Sequence, residues 1–145
     1  MAAELRLRVI TPEGVKFDDD IDMVIMRCET GDMGILPQHE PCSATLDYGV
    51  LRIIIGGEER GMAVFGGIAR VLDNVVTILA NEAQWPDAFA HIRLDEEREQ
   101  AELRLQESED DVEMQANQIH LRRTLVKIEV SAYPLINKTE SDSEN

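Results

Sequence analysis

The residues best suited to chemistry fall in one short stretch, His39-Glu40-Pro41-Cys42-Ser43, which places an imidazole, a carboxylate, a thiol and a hydroxyl within five positions. These are the side-chain types of nucleophilic catalysis. Their context argues against it, because neighbours in one loop do not converge as a triad does, and no strand-turn-helix elbow surrounds Cys42 or Ser43. His91 and His120 lie on separate predicted helices without the i, i+4 pairing of a helical zinc site. Cys28 and Cys42 have no Cys-x-x-Cys spacing and read as small buried hydrophobes. Gly56-Gly57 and Gly66-Gly67 lack the Gly-x-x-x-x-Gly-Lys pattern and open no helix, so they read as turns and bulges. No catalytic residue and no metal ligand set is expected.

Charge is the stronger signal. Across 145 residues, 29 Asp and Glu stand against 14 Lys and Arg, a net charge of -15 that repels nucleic acid and anionic lipid alike. Ten acidic residues against Arg98 and Arg104 lie between Asp95 and Glu113, the pattern of a solvated helix face. Arg122, Arg123 and Lys127 form the opposite case, a basic cluster with Arg123 and Lys127 one turn apart. Two readings stand open for it: neutralisation by the preceding helix, or contact with an acidic surface on a partner.

The elements that must position these groups divide the chain in two. Up to Leu79, short β-rich runs alternate with turn residues, as an all-β sandwich does. Leu5, Leu7 and Val9 share one face while Arg6 and Arg8 share the other, and Thr11-Pro12-Glu13-Gly14 turns the chain. Met23 to Cys28 is a second run that ends at Glu29-Thr30-Gly31-Asp32. Gly56-Gly57 and Asp73-Asn74 join flanking apolar runs as hairpin turns. Aromatic residues are only 4% of the chain, so the core is built from aliphatic side chains.

After Ala80 glycine does not recur, and Glu, Gln, Arg, Ala and Leu predominate. Pro86 and Asp87 suit a helix start, so the first helix is expected from there to Gln106, with Ser108 to Asp111 as a turn capped by Asp110 or Asp111. In the second helix Met114, Leu121, Leu125, Ile128 and Ala132 make a heptad-like stripe expected to pack on the first. Val126, Ile128 and Val130 also alternate as a strand would, and length favours helix. The expected organisation is a β-sandwich over 1–84, a helical hairpin over 85–133 and a disordered tail over 134–145. No apolar run approaches the roughly 18 residues of a membrane span, and a soluble cytosolic chain is expected.

The stretch Gly31-Asp32-Met33-Gly34-Ile35-Leu36-Pro37-Gln38-His39-Glu40-Pro41 closely resembles the Gly-Asp/Glu-x-Gly-Ile-Leu-Pro-x-His-x-Pro signature of the epsilon subunit of bacterial F-type ATP synthases. Thr11-Pro12-Glu13-Gly14, Gly49 to Ile53, and Gly66-Gly67 leading to Val75 to Ala80 are similar to further family landmarks in the same order, and the resemblance spans residues 4 to 133. It implies an all-β sandwich of about ten strands followed by an antiparallel two-helix hairpin, in a subunit without an active site. It implies a place at the foot of the central stalk, bound to the gamma subunit and the c-subunit ring, peripheral to the cytoplasmic face of the membrane. By similarity, Asp32, Met33, Leu36 and His39 are the c-ring and gamma contacts.

The resemblance further implies that the hairpin folds against the sandwich or extends to the catalytic alpha and beta subunits. Arg122, Arg123 and Lys127 match the basic positions that meet an acidic segment of beta and block hydrolysis. No cofactor is implied. Some relatives bind regulatory ATP through an Ile/Leu-Asp-x-x-Arg-Ala motif. Phe89 to Leu94 keeps only Arg93 of it, and Leu94-Asp95-Glu96-Glu97-Arg98-Glu99 ends in an acid that repels a triphosphate. Arg93 and Arg123 are the candidate nucleotide contacts on a reading that disfavours ATP. Arg70 departs from an acid common in relatives. The coupling ion, proton or sodium, is left open, and the alternatives are an acidic β-sandwich adaptor with a coiled-coil arm or a small hydrolase built on His39.

Overall fold

The computed structural model describes residues 4–136. Eight strands come first, β1 (Leu5–Thr11), β2 (Gly14–Ile21), β3 (Met23–Cys28), β4 (Gly31–Ile35), β5 (Cys42–Ile55), β6 (Glu58–Leu72), β7 (Val75–Ala80) and β8 (Ala83–Gln84). A 3-10 segment over Pro86–Phe89 leads to α1 (Leu94–Gln106) and α2 (Asp111–Val130).

The strands form one continuous ladder in the order β2-β1-β7-β6-β5-β3-β4, with β8 on β6. It closes over itself. Leu5, Leu7 and Val9 of β1 and Val24 and Met26 of β3 are all fully buried in one core, although three strands of the ladder separate β1 from β3. Alternation explains the facing, since Arg6 and Arg8, on the opposite side of β1, are exposed. β1 runs antiparallel to β2 but parallel to β7.

The expectation of about ten strands stands close to the observed eight, because two strands are long. β5 has 14 residues and β6 has 15, and they pair with each other along almost their whole length. β6 bends at Gly66 and Gly67, whose φ values of 82° and 138° only glycine adopts without strain. A Cβ at Gly67 would also stand 2.3 Å from the Leu79 carbonyl oxygen. The pair is thus a bend inside a strand rather than a turn. Gly56 and Gly57, at φ 59° and 81°, make the β5–β6 turn, and Asp73 and Asn74, at 51° and 62°, repeat it between β6 and β7.

Two expectations about the hairpin are corrected. α1 begins at Leu94 rather than at Pro86 or Asp87, because Phe89 is drawn into a second apolar cluster and the chain must turn again before a helix can run. Starting there puts Asp95, Glu96 and Glu97 in the first turn, at the positive end of the helix dipole. The stripe of Met114, Leu121, Leu125, Ile128 and Ala132 is not the buried face of α2. Met114 and Leu125 are 40% and 46% exposed, Ala132 lies beyond the helix, and the buried residues are Thr124, Val126 and Val130. α2 faces both α1 and the sheet, so its buried side is not a two-helix seam.

Asp110 caps α2 by accepting from the Glu113 amide at 2.8 Å. The Asn117 amide group donates to Ser108 Oγ at 2.8 Å and to the Arg104 carbonyl at 3.1 Å, fixing the turn between the helices. Of the tail expected over 134–145, residue 136 is tied to the 3-10 segment, since the Ile136 amide donates to Asp87 at 2.9 Å; 137–145 lie outside the described residues. Among the described residues no helix is long and apolar enough to cross a membrane.

Candidate functional site: the seat of the helical arm

The arm rests on the outer face of β5 and β6. A small apolar cluster joins them, with Val50, Ala63 and Phe65 from the strands, Phe89 from the 3-10 segment, and Val126 and Val130 from α2. Two glycines make the approach possible. A Cβ at Gly61 would stand 2.6 Å from the Tyr133 ring, and one at Gly49 would stand 2.5 Å from the Arg27 side chain. Both glycines sit inside long strands, where bare backbone marks a close approach.

Around this cluster every basic residue of the predicted inhibitory set is held by a carboxylate of the same chain. Arg122 pairs with Asp47 of β5 and lies 4.9 Å from the centre of the Tyr48 ring. Arg123 donates to both oxygens of Glu82 at 2.9 and 3.1 Å, with its guanidinium 4.3 Å above the Phe65 ring. Lys127 donates to Glu97 of α1 at 3.1 Å and stands 5.8 Å from the Phe89 ring. Neutralisation by the first helix therefore holds for Lys127 alone. Arg122 and Arg123 are neutralised by the sandwich.

Glu97 is the polar centre of the hairpin. The fully buried Thr124 hydroxyl donates to it at 3.0 Å, beside Lys127. Burial pushes the Glu97 carboxyl up, but the Lys127 and Thr124 hydrogen bonds and the Lys127 charge outweigh it, so its pKa lies below the ordinary carboxylate value. At the far end, Arg27 of β3 donates to both oxygens of Glu129 at 2.9 and 2.8 Å, a bidentate pair across the seam. The hydrogen bonds it donates to Glu129 raise the Arg27 pKa despite partial burial.

The predicted ring and gamma contacts do not form one cluster. Asp32 and Met33 lie within β4, just past the β3–β4 turn, whereas Leu36 and His39 lie in the loop beyond the other end of β4. Asp32 is exposed, Met33 is half-buried against the core, and Leu36 is 55% exposed. The Gln38 amide donates to Asn74 Oδ1, tying that loop to the β6–β7 turn. Further along the β6–β7 ladder, Ile68 and Leu79 are cross-strand partners, 55% and 46% exposed, an apolar pair that the sequence reading missed. Their position opposite the core-facing residues in the alternation was the available signal. Arg70 and Thr77, also partnered, flank the pair.

The nucleophilic candidates are placed without activation. Cys42 Sγ lies 3.9 Å from His39 Nδ1, but that nitrogen is 2.8 Å from the Glu40 carbonyl oxygen. A carbonyl only accepts, so Nδ1 carries the hydrogen and offers the thiol no base. Ser43 is exposed on the opposite face of β5. Cys28 is buried as expected, while Cys42 is only half-buried. Among the described residues no group of three His, Cys, Asp or Glu side chains could hold a metal.

A cleft of about 630 Å³ opens between the 3-10 segment, the start of α1 and the end of α2, lined by Phe89, Ile92, Arg93, Asp95, Glu96 and Tyr133 among others. Arg93 donates to Glu96 at 3.1 Å and is 82% exposed. Arg123 does not line this cleft, so the two candidate nucleotide contacts are not brought together.

Comparison with known proteins follows the same division. Residues 4–86 match the family model of the ATP synthase Delta/Epsilon chain beta-sandwich domain. The ATP synthase epsilon chain of Alkalihalophilus pseudofirmus is 41% identical over 107 residues, covering 74% of this chain and 80% of that protein. The epsilon chain of Bacillus velezensis is 35% identical over 127 residues, covering 88% and 96%. A chain in the cryo-EM structure of the Euglena gracilis mitochondrial ATP synthase, OSCP/F1/c-ring in rotational state 1, superposes with a TM-score of 0.80 at 25% identity, covering 92% of this chain and 84% of that one. Sandwich, hairpin and sequence thus agree, and the chain belongs to the epsilon-chain family of the ATP synthases.

Proposed function

We propose that the chain works as a non-catalytic central-stalk subunit of an F-type ATP synthase, turning with the gamma subunit and the c-subunit ring, with its arm as a brake on ATP hydrolysis. Family membership supports the first part and displaces the adaptor and hydrolase alternatives. The brake is carried by one observation: Arg122, Arg123 and Lys127 are all engaged by the chain's own carboxylates when the arm is down. A surface of acidic groups on the beta subunit offers the same cations an equivalent set of partners once the arm extends. Moving the arm from mostly down to mostly extended takes about 5 kcal/mol, within the range of a few desolvated charge pairs plus packing.

The docking faces are assigned on the same footing. The start of β4 with Asp32 and Met33 faces the ring, and the loop with Leu36 and His39 faces gamma, as does the exposed pair Ile68 and Leu79. An exposed apolar pair flanked by polar side chains is the anatomy of an interface core with its rim. The complex brings the chain to the cytoplasmic face of the membrane. Regulatory ATP is disfavoured, because the carboxylates of Asp95 and Glu96 line the cleft between the helices and repel a triphosphate there.

The decisive measurement compares ATP hydrolysis by the assembled complex with and without residues 87–145. Faster hydrolysis on removal of the arm supports the brake, and equal rates count against it. Association with gamma is tested separately with Ile68→Asp, which should weaken co-assembly while leaving the sandwich folded.

A further inference from the structure

Arg27 reaches in two directions. Its NH1 and NH2 groups donate to Glu129 of the arm at 2.9 and 2.8 Å, while its Nε lies 3.7 Å from Asp32 Oδ1. Asp32 is its cross-strand partner in the β3–β4 ladder, so the register of the sheet places the carboxylate beside the guanidinium. The stem of Arg27 lies over Gly49, where no Cβ intervenes. A planar guanidinium offers a side edge and an end edge. The two carboxylates use different edges, and they do not compete for a hydrogen. Asp32 thus stands beside the side edge of the guanidinium whose end fork holds Glu129.

We propose that Arg27 couples the Asp32 turn to the position of the arm, so that engagement of Asp32 by a cationic partner loosens the arm's clasp on the sandwich. The inference rests on the reading above in which the arm moves and the Asp32 turn is a docking face. A cation that draws Asp32 away removes the anchor of the Nε edge and leaves the fork free to swing. By linkage, a docked arm weakens the hold of Asp32 on that partner by the same factor. Arg27 and Asp32 act here as positioning residues, and the bistable element that both bias is the arm.

The full-length chain carries its own reporter. A Cβ at Gly61 would stand 2.6 Å from the Tyr133 ring, so the Gly61 α-proton facing that ring should be shifted upfield while the arm is down. Nuclear magnetic resonance of the full chain should show that shift reduced in Glu129→Gln and Arg27→Gln. Asp32→Asn should reduce it as well, although Asp32 touches no arm residue, with a roughly two- to fivefold rise in the undocked-to-docked ratio, the range expected of one exposed charge contact. In the Arg27→Gln background, Asp32→Asn should add nothing. An unchanged or tighter arm in Asp32→Asn overturns the coupling, as does full additivity of the two changes. None of these outcomes depends on hydrolysis, so a failed brake assay beside a shifted Gly61 signal sinks the brake and leaves the coupling standing.

Discussion

The guanidinium of Arg123 lies 4.3 Å over the ring of Phe65 and holds both oxygens of Glu82, so a cation of the arm is bound on one side by a π face and on the other by a carboxylate of the sandwich. Arg123 is engaged at home by the same kind of group that would hold it elsewhere. Glu82→Gln should therefore release it. In the assembled complex this variant is expected to hydrolyse ATP two- to fivefold more slowly than wild type, the span of a partly exposed ion pair. A rate equal to wild type would mean that Glu82 does not restrain the arm.

Phe65 also contributes packing. Truncating it to Ala should cost about 3 kcal/mol through loss of buried surface and the cavity left behind, measured by urea unfolding. Because Phe65 lies in the arm cluster rather than the sandwich core, amide exchange in α2 should accelerate more than exchange in β1 or β7.

Gly61→Ala tests the seat itself. The new methyl would stand 2.6 Å from the Tyr133 ring, which must move away. Hydrogen exchange at residues 126–133 should rise while the β5–β6 hairpin stays protected. Unaltered protection at 126–133 would show that Tyr133 does not anchor the arm.

The hairpin should loosen in acid. The pKa of Glu97 is held below its unfolded value, near 4.3 for a free Glu, so its stabilisation is fully present above that unfolded value and is lost as pH falls through the lower folded one. Glu97→Gln should cost roughly 1.5–3 kcal/mol at pH 7, the range of a hydrogen bond to a charged group. The difference in stability between wild type and variant should shrink toward zero below about pH 4. A difference that persists into acid would point to packing instead.

Salt should act on the arm selectively. The three pairs that cross between arm and sandwich, Arg27–Glu129, Arg122–Asp47 and Arg123–Glu82, are all partly exposed. Raising ionic strength from about 0.1 to 1 M shortens the Debye length from about 10 to 3 Å, so the undocked fraction should grow as read from the Gly61 α-proton. Docking that is indifferent to salt would place its stability in the apolar cluster alone.

Much of the fold was legible because alternation is a local property. Leu5, Leu7 and Val9 declare their buried face within a few residues, and Gly56-Gly57 and Asp73-Asn74 declare their turns. β2 was harder to read, since Asp18, Asp19 and Asp20 are poor strand formers. They are tolerated at a sheet edge where Asp18 and Asp20 meet Arg6, which no local pattern reveals.

The site divides the same way. Arg122, Arg123 and Lys127 stood out as a basic cluster in an acidic chain, but their partners Asp47 and Glu82 lie 75 and 41 residues away. The buried side of α2 was misread because the heptad rule supposes one partner helix, and this helix has a sheet as well. Gly49 and Gly61 were the overlooked signal, two glycines inside strands that needed a reason for their missing side chains.

The parallel pairing of β1 with β7 has a consequence for how the chain is made. Arg6 to Ile10 find their second neighbour only in Val75 to Leu79, so during synthesis β1 waits, half-covered by β2, until β7 has been made. The arm follows the strands in the chain and meets a surface already complete. Birth order therefore lays the platform before the part that rests on it.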